Sequence, residues 1–465
     1  MKHLVLLLLS WLTLGVQVEG KAVLAHFMLG NTVNYTTKNW ESDINHAKAS
    51  SIDAFVLNMA RNERLPTQIY NAFTVAADTS FKLLFSFDYA ANGSWPKSDV
   101  LSLLNEYSTH PAYFTHNKQP LVSTFEGPDA WKDWIEIKDK TNAFFVPDWS
   151  SIDPRKAANR SVVDGLFNWG AWPEGPRAMN TSGDESFVSA LHGKPYMMPI
   201  SPWFYTNMPG FDKNWVWRGD ELWFARWEQA IQLGPEFVQI VSWNDYGESH
   251  YIGPLGAGDG VDVWDAFGRG EAPFNYAKGV EHDGWRTFLP FLVDRYKRNE
   301  TDVEVQAEDE NVVTWYRLTS DGASGCTDGG TTGNAKVQGQ KEYKPEEILE
   351  DRIFYSALLG SPANVSVKVG GEAIAAKWEV EPKGGKGVYT GSVEVKGEGD
   401  VKIVVQRQDD IVAKVDGEKI RGDCEDDGGY RNFNPWVGTS GADAVRAGGV
   451  LGTVVTAMVV ALIMG

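Results

Sequence analysis

Residues 22–59 read AVLAHFMLGNTVNYTTKNWESDINHAKASSIDAFVLNM, and this stretch decides the fold. An apolar run, Ala22–Leu29, is followed by a segment with apolar residues three and four apart, Trp40–Ser50, and then by a second apolar run, Ala54–Met59. Short apolar runs that alternate with amphipathic segments are typical of βα units built around a buried parallel sheet. The stretch therefore predicts strand, helix, strand.

The same alternation continues as far as residue 299. Further strands, which bring the total to eight, are predicted at Lys82–Phe87, Pro120–Phe125, Ala143–Val146, Val163–Phe167, Tyr196–Ile200 and Phe237–Trp243. Further helices are predicted at Leu65–Ala77, Lys97–Tyr107, Pro128–Lys138, Glu185–His192, Glu221–Leu233 and Trp285–Tyr296. With no doubly wound nucleotide-binding signature, this order predicts an α/β fold in which residues 21–299 form a (β/α)8 TIM barrel. The connection Asp148–Ser161 shows little helical pattern and is the weakest part of that prediction.

The pattern of apolar and polar residues changes after residue 300. Apolar and polar residues alternate in the runs Ala363–Val369, Gly387–Val395 and Val401–Val405, as in strands with one buried face. Gly and Thr are frequent in residues 322–333, which predicts a loop. Residues 300–436 are therefore predicted to form a smaller C-terminal β-sandwich domain.

Both ends of the chain carry features of targeting signals. Lys2 precedes the apolar run Leu4–Leu9, and small residues follow, so residues 1–20 are predicted to be a cleaved signal peptide. Residues 437–465 combine small residues, a short spacer and an uncharged apolar tail, which is the layout of a GPI-anchor signal. A membrane-spanning helix is the alternative at each end, but both apolar runs are short for the roughly 20 residues of a span. The expected location is extracellular, at the cell surface or cell wall.

Two further features fit a secreted glycoprotein. Triplets for N-glycosylation begin at Asn34, Asn92, Asn159, Asn180, Asn299 and Asn364. The two cysteines, Cys326 and Cys424, are predicted to form a disulfide in the C-terminal domain, because an oxidising compartment favours the bond. Two free structural thiols are the alternative.

The composition excludes several classes of function. A net charge of -19 argues against nucleic acid or an anionic membrane surface as a partner, because binding to either depends on clustered Lys and Arg. A neutral polysaccharide remains compatible, and a monomer is expected. The chain has no Gly-x-Ser-x-Gly elbow, no phosphate-binding loop and no His-Glu-x-x-His, and its histidines are too scattered to indicate a metal cluster. No cofactor or metal is therefore predicted.

Functional side chains are expected at the carboxyl ends of the predicted strands, because active sites of such barrels are built on that face. In chain order they are Asn58, Asp88, Tyr89, Glu126, Asp148, Trp149, Asn168, Trp169, Trp203, Tyr205 and the segment Trp243-Asn244-Asp245-Tyr246-Gly247-Glu248-Ser249-His250. Carboxyl groups, amides and aromatic rings on one face suit glycoside hydrolysis. In that reaction one carboxylic acid protonates the leaving oxygen, a carboxylate activates water or attacks carbon, and rings hold the sugars.

Each of these assignments has a structural alternative. Carboxylates after strands often cap the next helix, which is a serious rival for Glu126. It is a weaker rival for Asp245 and Glu248, because the glycine between them indicates a tight loop instead. Most buried Trp residues are core, so substrate contact by the aromatic residues competes with packing. His26 and His250 are expected to meet near the barrel mouth and bind a sugar hydroxyl, with a purely structural role as the alternative.

The stretches at the strand ends together resemble one known family. They are residues 25–30 (AHFMLG), 52–58 (IDAFVLN), 85–89 (FSFDY), 122–127 (VSTFEG), 145–149 (FVPDW), 164–169 (DGLFNW) and 242–249 (SWNDYGES). In this order they are similar to glycoside hydrolase family 71, the fungal α-1,3-glucanases or mutanases. The resemblance covers about Lys21–Lys297 and extends into the C-terminal region.

The resemblance implies inverting hydrolysis of α-1,3-glucan without a metal or organic cofactor, and it implies that Asp88, Asp245 and Glu248 are the essential acids. Endo action is the expected mode. Asp245 and Glu248 are expected to be the acid and base, while Asp88 orients the water or exchanges roles with one of them. The C-terminal domain is expected either to bind glucan or to brace the barrel. A glucan-binding surface protein without catalysis and a glycosidase of another linkage are the rival hypotheses.

Overall fold

The structure is a computed structural model that describes residues 20–63, 65–255, 264–300 and 303–440, without the side chains of residues 264–266. The predicted signal peptide lies outside these residues except for Gly20, and so does the predicted anchor signal from residue 441 onward. Within the described ranges, no helix combines the length and apolar character needed to cross a bilayer.

The described chain alternates strands and helices up to residue 300 and then consists mainly of strands. The strands are β1 Ala22–Met28, β2 Ala54–Ala60, β3 Lys82–Asp88, β4 Thr115–His116, β5 Gln119–Phe125, β6 Phe144–Phe145, β7 Leu166–Phe167, β8 Tyr196–Ile200, β9 Tyr205–Met208, β10 Lys213–Val216, β11 Phe237–Ile240, β12 Asn311–Tyr316, β13 Thr319–Ser324, β14 Thr332–Gly333, β15 Arg352–Leu359, β16 Asn364–Val369, β17 Glu372–Ile374, β18 Gly387–Glu394, β19 Gly399–Arg407, β20 Asp410–Asp423 and β21 Trp436–Thr439. The helices are α1 Thr37–Ala49, α2 Pro66–Asp78, α3 Lys97–Tyr107, α4 Asp133–Thr141, α5 Pro154–Ala158, α6 Ser182–Leu191, α7 Leu222–Leu233, α8 Trp264–Arg269 and α9 Leu289–Arg298.

A curled sheet of parallel strands forms the first part of the molecule. The parallel neighbours run β6-β5-β3-β2-β1-β11-β8-β7, and β4 pairs antiparallel with β5. Single bridges join Asp148 to Phe125 and to Phe167, so the chain after β6 contacts the ends of both β5 and β7. Every residue of β2 is buried, as expected for a parallel strand covered on both faces. The predicted mixed α/β fold is confirmed.

Three of the eight predicted strands are shorter in the structure by two or more residues, and one of them, predicted at Phe237–Trp243, ends at Ile240 as β11. The strand predicted over Ala143–Val146 is reduced to β6, and Val163–Phe167 is reduced to β7. Their pairing is interrupted because the Asp164 carboxylate accepts the backbone N–H of Phe145 at 2.8 Å, in the place of a strand partner. The weak connection that follows holds only the short helix α5.

Several helices have boundaries that differ from the predicted ones, and for two of them the cause is local. Pro128–Lys138 divides into a 3-10 turn, Pro128–Lys132, and α4. The closing helix α9 starts four residues later than predicted, with a proline in its first turn, where the missing N–H costs nothing. The strands β9 and β10 form an antiparallel hairpin that the sequence did not predict.

Two sheets make up the C-terminal region. One has the order β18-β15-β12-β21 and the other the order β13-β20-β19-β16-β17. Apolar side chains of both, including Val312 and Ile353 of the first and Val367 and Ile403 of the second, share one buried cluster. The predicted loop at 322–333 is bounded by strand residues at each end, because β13 runs to Ser324 and β14 starts at Thr332.

The chain near residue 433 returns to pack on the first part of the molecule. Trp203 Nε1 donates to Phe433 O at 3.0 Å, and Asn434 Nδ2 donates to Tyr276 O at 3.0 Å. A ring nitrogen of His282 lies 3.0 Å from Pro435 O. Residues 433–435 therefore brace the chain that follows β8 and the chain that follows β11.

The described residues include the predicted disulfide and all six asparagines of the glycosylation triplets. Cys326 and Cys424 are joined by a disulfide with Cα atoms 5.3 Å apart. The six asparagines of the glycosylation triplets are all exposed. Exposure is a requirement for a glycan at these positions.

Removing the disulfide is expected to destabilise the C-terminal region. The bond spans 98 residues of sequence, and cross-linking a loop of this length restricts the unfolded chain strongly. We expect the Cys326→Ser, Cys424→Ser double variant to lose about 2 to 5 kcal/mol of unfolding free energy. Guanidinium unfolding under non-reducing conditions measures this, and coincident curves for the variant and the wild type would contradict it.

Candidate active site

Polar side chains gather where the parallel strands end. Asp88 is the last residue of β3, and Glu126, Asp148 and Asn168 follow β5, β6 and β7. The carboxyl ends of parallel strands in a curled sheet meet at one edge, so these side chains belong to a common site.

Asn244 ties the loop after β11 to the end of β1. Its Oδ1 accepts a hydrogen bond from Met28 N at 2.7 Å, and its Nδ2 donates to Met28 O at 3.1 Å. Its backbone oxygen accepts from Asn31 Nδ2 at 2.9 Å. Because an amide carries both a donor and an acceptor, Asn244 substitutes for a strand partner and fixes the residue that follows it.

That next residue, Asp245, opens a 3-10 turn over Tyr246–Glu248. Asp245 Oδ1 accepts from Glu248 N at 3.1 Å, and Asp245 N donates to Ser242 Oγ at 2.9 Å. The turn packs closely on β9, since a Cβ on Gly247 would lie 2.9 Å from Met208 Cε. The turn holds two carboxyl groups only three residues apart in the sequence.

Glu248 has a cation on one oxygen and a histidine on the other. Lys213 Nζ lies 2.5 Å from Oε1, and His250 Nε2 lies 2.9 Å from Oε2. Burial alone would raise the pKa of Glu248, but the charge of Lys213 and the hydrogen bond with His250 outweigh burial and lower it. Glu248 is therefore the ionised member of the pair.

Asp245 has the opposite tendency. Burial, and then the negative charge of Glu248, raise the pKa of Asp245 above its usual range. Its Oδ2 lies 4.0 Å from His250 Nε2. Two neighbouring carboxyl groups whose pKa values are pushed apart are suited to different roles in acid–base catalysis.

The sequence spacing did not predict that these groups form a cluster with a histidine. One oxygen of Asp245, one of Glu248 and a ring nitrogen of His250 lie within 4.8 Å of one another. Such a set can in principle bind a cation. Here the ammonium group of Lys213 already supplies a positive charge to Glu248.

Asp88 is the third carboxyl group of the predicted set. Its Oδ1 accepts from the backbone N–H groups of Ala90 and Ala91, each at 2.8 Å. Burial raises its pKa, while these two hydrogen bonds and the charge of Lys213 counteract the rise. Its orientation is thus set by the turn that follows β3.

Glu126 and Asp148 lie near Asp88 and form a second acidic pair. Glu126 accepts from Ser151 N at 2.9 Å and from Ser151 Oγ. Asp148 is fully buried, accepts from Ser150 N at 3.1 Å and from Ser150 Oγ, and has no hydrogen-bond partner at Oδ2. Burial raises the pKa of both groups, and that of Asp148 rises well above its usual range. Burial therefore favours the protonated form of Asp148.

His26 is held as a neutral ring at the end of β1. Its Nδ1 lies 3.2 Å from Gln239 Nε2, and its ring meets Trp169 edge-on at 5.0 Å. Burial and the neighbouring His250 lower the pKa of His26 to about 3. The charge of His250 thus acts on His26 across the two strand ends.

Among the aromatic residues predicted to contact substrate, Trp169 alone is half-buried rather than buried. Its ring lies against His26 and, at 4.8 Å, against Phe125. Its backbone N–H donates to Ser150 Oγ at 2.9 Å. Trp169 is therefore partly accessible, and its backbone lies beside Ser150, which binds Asp148.

The other aromatic residues predicted to contact substrate are packed in the core. Buried there are Tyr89, Trp149, Trp203, Tyr205, Trp243 and Tyr246. Trp149 and Trp243 have no exposed surface, and Trp203 has 2 %. Substrate contact through these ring faces is not supported, because the rings expose almost no surface and are packed among core side chains.

Two predicted amides are also turned inward. Asn58 Nδ2 lies 3.4 Å from Ser86 Oγ, and Asn168 Nδ2 lies 3.4 Å from Tyr196 OH. Asn168 Oδ1 also accepts from Gly170 N at 2.9 Å. Both amides hold neighbouring elements together.

Sequence reasoning missed Lys213 and Trp172. Lys213 lies on the unpredicted hairpin, and its pKa is raised, chiefly by Glu248. Trp172 is half-buried, stacks on Trp217 at 5.0 Å and lies 5.5 Å from the ring of His250. The lysine had one sequence signal, since it is the only basic residue in the aromatic-rich segment 203–217.

Comparison with known proteins gives a consistent result. The sequence profile described as glycosyl hydrolase family 71 matches residues 19–448. A mutanase of Penicillium rubens is 35% identical over 454 residues, covering 94% of this chain and 93% of that protein. A glucan endo-1,3-alpha-glucosidase of Schizosaccharomyces pombe is 30% identical over 435 residues, covering 90% and 94%. An ascus wall endo-1,3-alpha-glucanase of the same yeast is 30% identical over 342 residues, covering 67% and 75%.

Proposed function

The chain belongs to glycosyl hydrolase family 71, and from that membership we propose that it is a glucan endo-1,3-α-glucosidase, which hydrolyses α-1,3-glucan. The observation that carries the proposal is the set of carboxyl groups at the strand ends. Asp245 and Glu248 occupy one turn, with pKa values shifted in opposite directions, and Asp88 ends a nearby strand. Glycoside hydrolysis requires this combination of a protonated and an ionised carboxyl group.

Asp245 acts as the general acid. Its pKa is raised by burial and by the charge of Glu248, so the group keeps its proton at a pH where free aspartate has lost it. It gives that proton to the glycosidic oxygen as the bond to the sugar breaks. Glu248 remains ionised beside it and stabilises the positive charge that develops on the sugar ring.

Asp88 acts as the general base of an inverting reaction. Inverting enzymes separate the acid and the base by roughly 6.5 to 9.5 Å so that a water fits between them. One oxygen of Asp245 lies within 4.8 Å of one of Glu248, which leaves little room for that water. Asp88 ends β3, and β2 and β1 lie between β3 and β11 in the sheet, so its carboxyl group approaches from another side. The sequence left two alternatives for the base, Glu248 or Asp88. The assignment of Asp88 as the base is therefore favoured.

Trp169 serves as a sugar platform, and its removal is expected to weaken substrate binding. The half-buried ring stands beside His26, whose neutral imidazole can bond to a sugar hydroxyl. We expect Trp169→Ala to raise KM for a soluble α-1,3-linked oligosaccharide by about tenfold, or ~1.4 kcal/mol, with a smaller effect on kcat. Tyr70→Ala, at an exposed aromatic of α2, is the matched control. An unchanged KM would remove Trp169 from the binding site.

We also propose the two-domain architecture that the sequence predicts. Residues 21–299 form a (β/α)8 catalytic barrel, which the parallel order of strands and the bridges from Asp148 to Phe125 and Phe167 support. Residues 300–436 form a β-sandwich domain, which the shared apolar cluster of two sheets supports. The strand β21 extends that domain to Thr439.

We further propose that the protein acts as a secreted monomer held at the cell surface or cell wall by a GPI anchor. The signal-peptide and anchor patterns at residues 1–20 and 437–465 support this location. The exposed asparagines of the glycosylation triplets and the disulfide are compatible with it.

A substrate panel tests the proposed function. The fragment 21–440 is incubated with insoluble α-1,3-glucan, α-1,4-glucan and β-1,3-glucan, and released reducing ends are measured. We expect release from α-1,3-glucan alone. Adsorption to α-1,3-glucan without release would favour a binding protein, and release from another glucan would favour a different linkage specificity.

A further inference from the structure

The hairpin of β9 and β10 brings a lysine to the acidic cluster. Lys213 is the first residue of β10, and its ammonium group lies 2.5 Å from Glu248 Oε1. Its charge also acts on Asp245 and on Asp88, lowering the pKa of each relative to the value that burial alone would give. One cation thus contacts one carboxyl group of the proposed site and acts through its charge on the other two.

The C-terminal region holds this hairpin in place. Strand β14 pairs parallel with β10, matching Trp215 to Thr332. Asn214, next to the lysine, donates from Nδ2 to Gly329 O at 2.9 Å and accepts from Thr331 Oγ1 at 2.7 Å. The loop that supplies these partners follows Cys326, which the disulfide fixes to Cys424.

We propose that Lys213 is a positioning residue that sets the charge state of the catalytic carboxyl groups, and that the C-terminal region contributes to the active site by holding the hairpin that carries Lys213. The inference rests on the proposed function. It gives the C-terminal region a role in catalysis that differs from glucan binding.

The other charges around Glu248 do not replace this lysine. From its own loop, Glu248 faces His250 and the carboxyl group of Asp245, and from β1 it faces His26. His26 is neutral over the working range because its pKa is lowered to about 3. Lys213 is therefore the permanent cation among the described groups that act on Glu248. Without it, the nearby carboxyl groups repel one another and hold their protons more tightly.

The test is the pH profile of hydrolysis for Lys213→Met and Lys213→Arg. Removing the cation raises the pKa values of Asp88, Glu248 and Asp245 together, so both limbs of the bell-shaped profile should move to higher pH. A nearby opposite charge shifts a pKa by roughly one to three units, and Lys213 counters burial only in part at Asp88 and Asp245, so we expect a displacement at the low end of that range, about one unit, and about tenfold lower activity on the acidic side. Lys213→Arg keeps the charge and should keep both limbs near their wild-type positions.

The outcomes separate this inference from the proposed function. Lys336→Met, which removes an 81 % exposed lysine side chain, should leave the profile unchanged. A uniform loss of activity in Lys213→Met with both limbs in place would make the lysine merely structural and overturn the inference. If the wild type itself releases no sugar, the proposed function fails instead. A ¹³C NMR titration of Glu-labelled protein would then still test whether Lys213→Met raises the pKa of Glu248.

Discussion

Replacing Asp245 with asparagine is expected to lower kcat on α-1,3-glucan by roughly 10³-fold, because general acid catalysis contributes on the order of 10² to 10⁴. The loss should depend on the leaving group. A sugar oxygen leaves with difficulty unless it is protonated, whereas fluoride needs far less help. The α-fluoride of an α-1,3-linked glucose oligomer should therefore retain most of its wild-type rate in Asp245→Asn.

The substitution is designed to spare the fold. Asparagine keeps an Oδ1 that can accept from Glu248 N, as the aspartate does at 3.1 Å, so the turn should persist. Equal losses on the glucan and on the fluoride, at an unchanged Tm, would mean that Asp245 is not the acid.

Replacing Asp88 with alanine is expected to lower kcat by a comparable factor of roughly 10³ on both substrates. The reason is that the base is required whatever group leaves. Removing the carboxyl group leaves space beside the backbone N–H groups of Ala90 and Ala91, which Asp88 Oδ1 occupies in the native protein. Azide, a nucleophile that needs no base, should enter this space and restore turnover, with a β-glycosyl azide as product.

Two further variants test which carboxyl group is the general base. Glu126→Ala removes the nearby carboxylate that is held by Ser151, and azide should give it no new product. Glu248→Ala should be weakly active without rescue by azide. If azide instead rescues Glu248→Ala and leaves Asp88→Ala inactive, Glu248 is the base and the roles proposed here are reversed.

Fully buried strands and amphipathic helices could be predicted from sequence because burial leaves a clear pattern. Tyr196–Ile200 coincides with the observed β8, and Lys97–Tyr107 coincides with α3. The short strands β6 and β7 could not be predicted well, because a side chain, Asp164, takes over part of their pairing. Strand β20 was missed because charged residues interrupt its alternation and the ladder with β19 shifts register twice.

The residues proposed for the site came from sequence motifs, whereas their electrostatics needed the structure. Motifs suggested Asp88, Asp245 and Glu248, and the parallel strand order places the chain segments that carry them at the same edge of the sheet. The contact of Lys213 with Glu248 joins residues 35 positions apart through an unpredicted hairpin, so no local pattern revealed it. Trp169 differs from residues such as Trp149 and Trp243 in that its side chain is partly exposed. This difference could not be predicted, because the pattern of a single sequence does not distinguish core aromatics from exposed ones.

The most direct test of the account is the anomeric form of the first product. Wild-type protein is mixed with a soluble α-1,3-linked glucose oligomer, and ¹H NMR spectra are recorded before the new reducing end equilibrates. The account predicts that the β-anomer forms first and the α-anomer appears later by mutarotation, because water attacks opposite the departing oxygen. The α-anomer as first product would contradict inversion by Asp245 and Asp88, and no product at all would contradict the assignment as an α-1,3-glucanase.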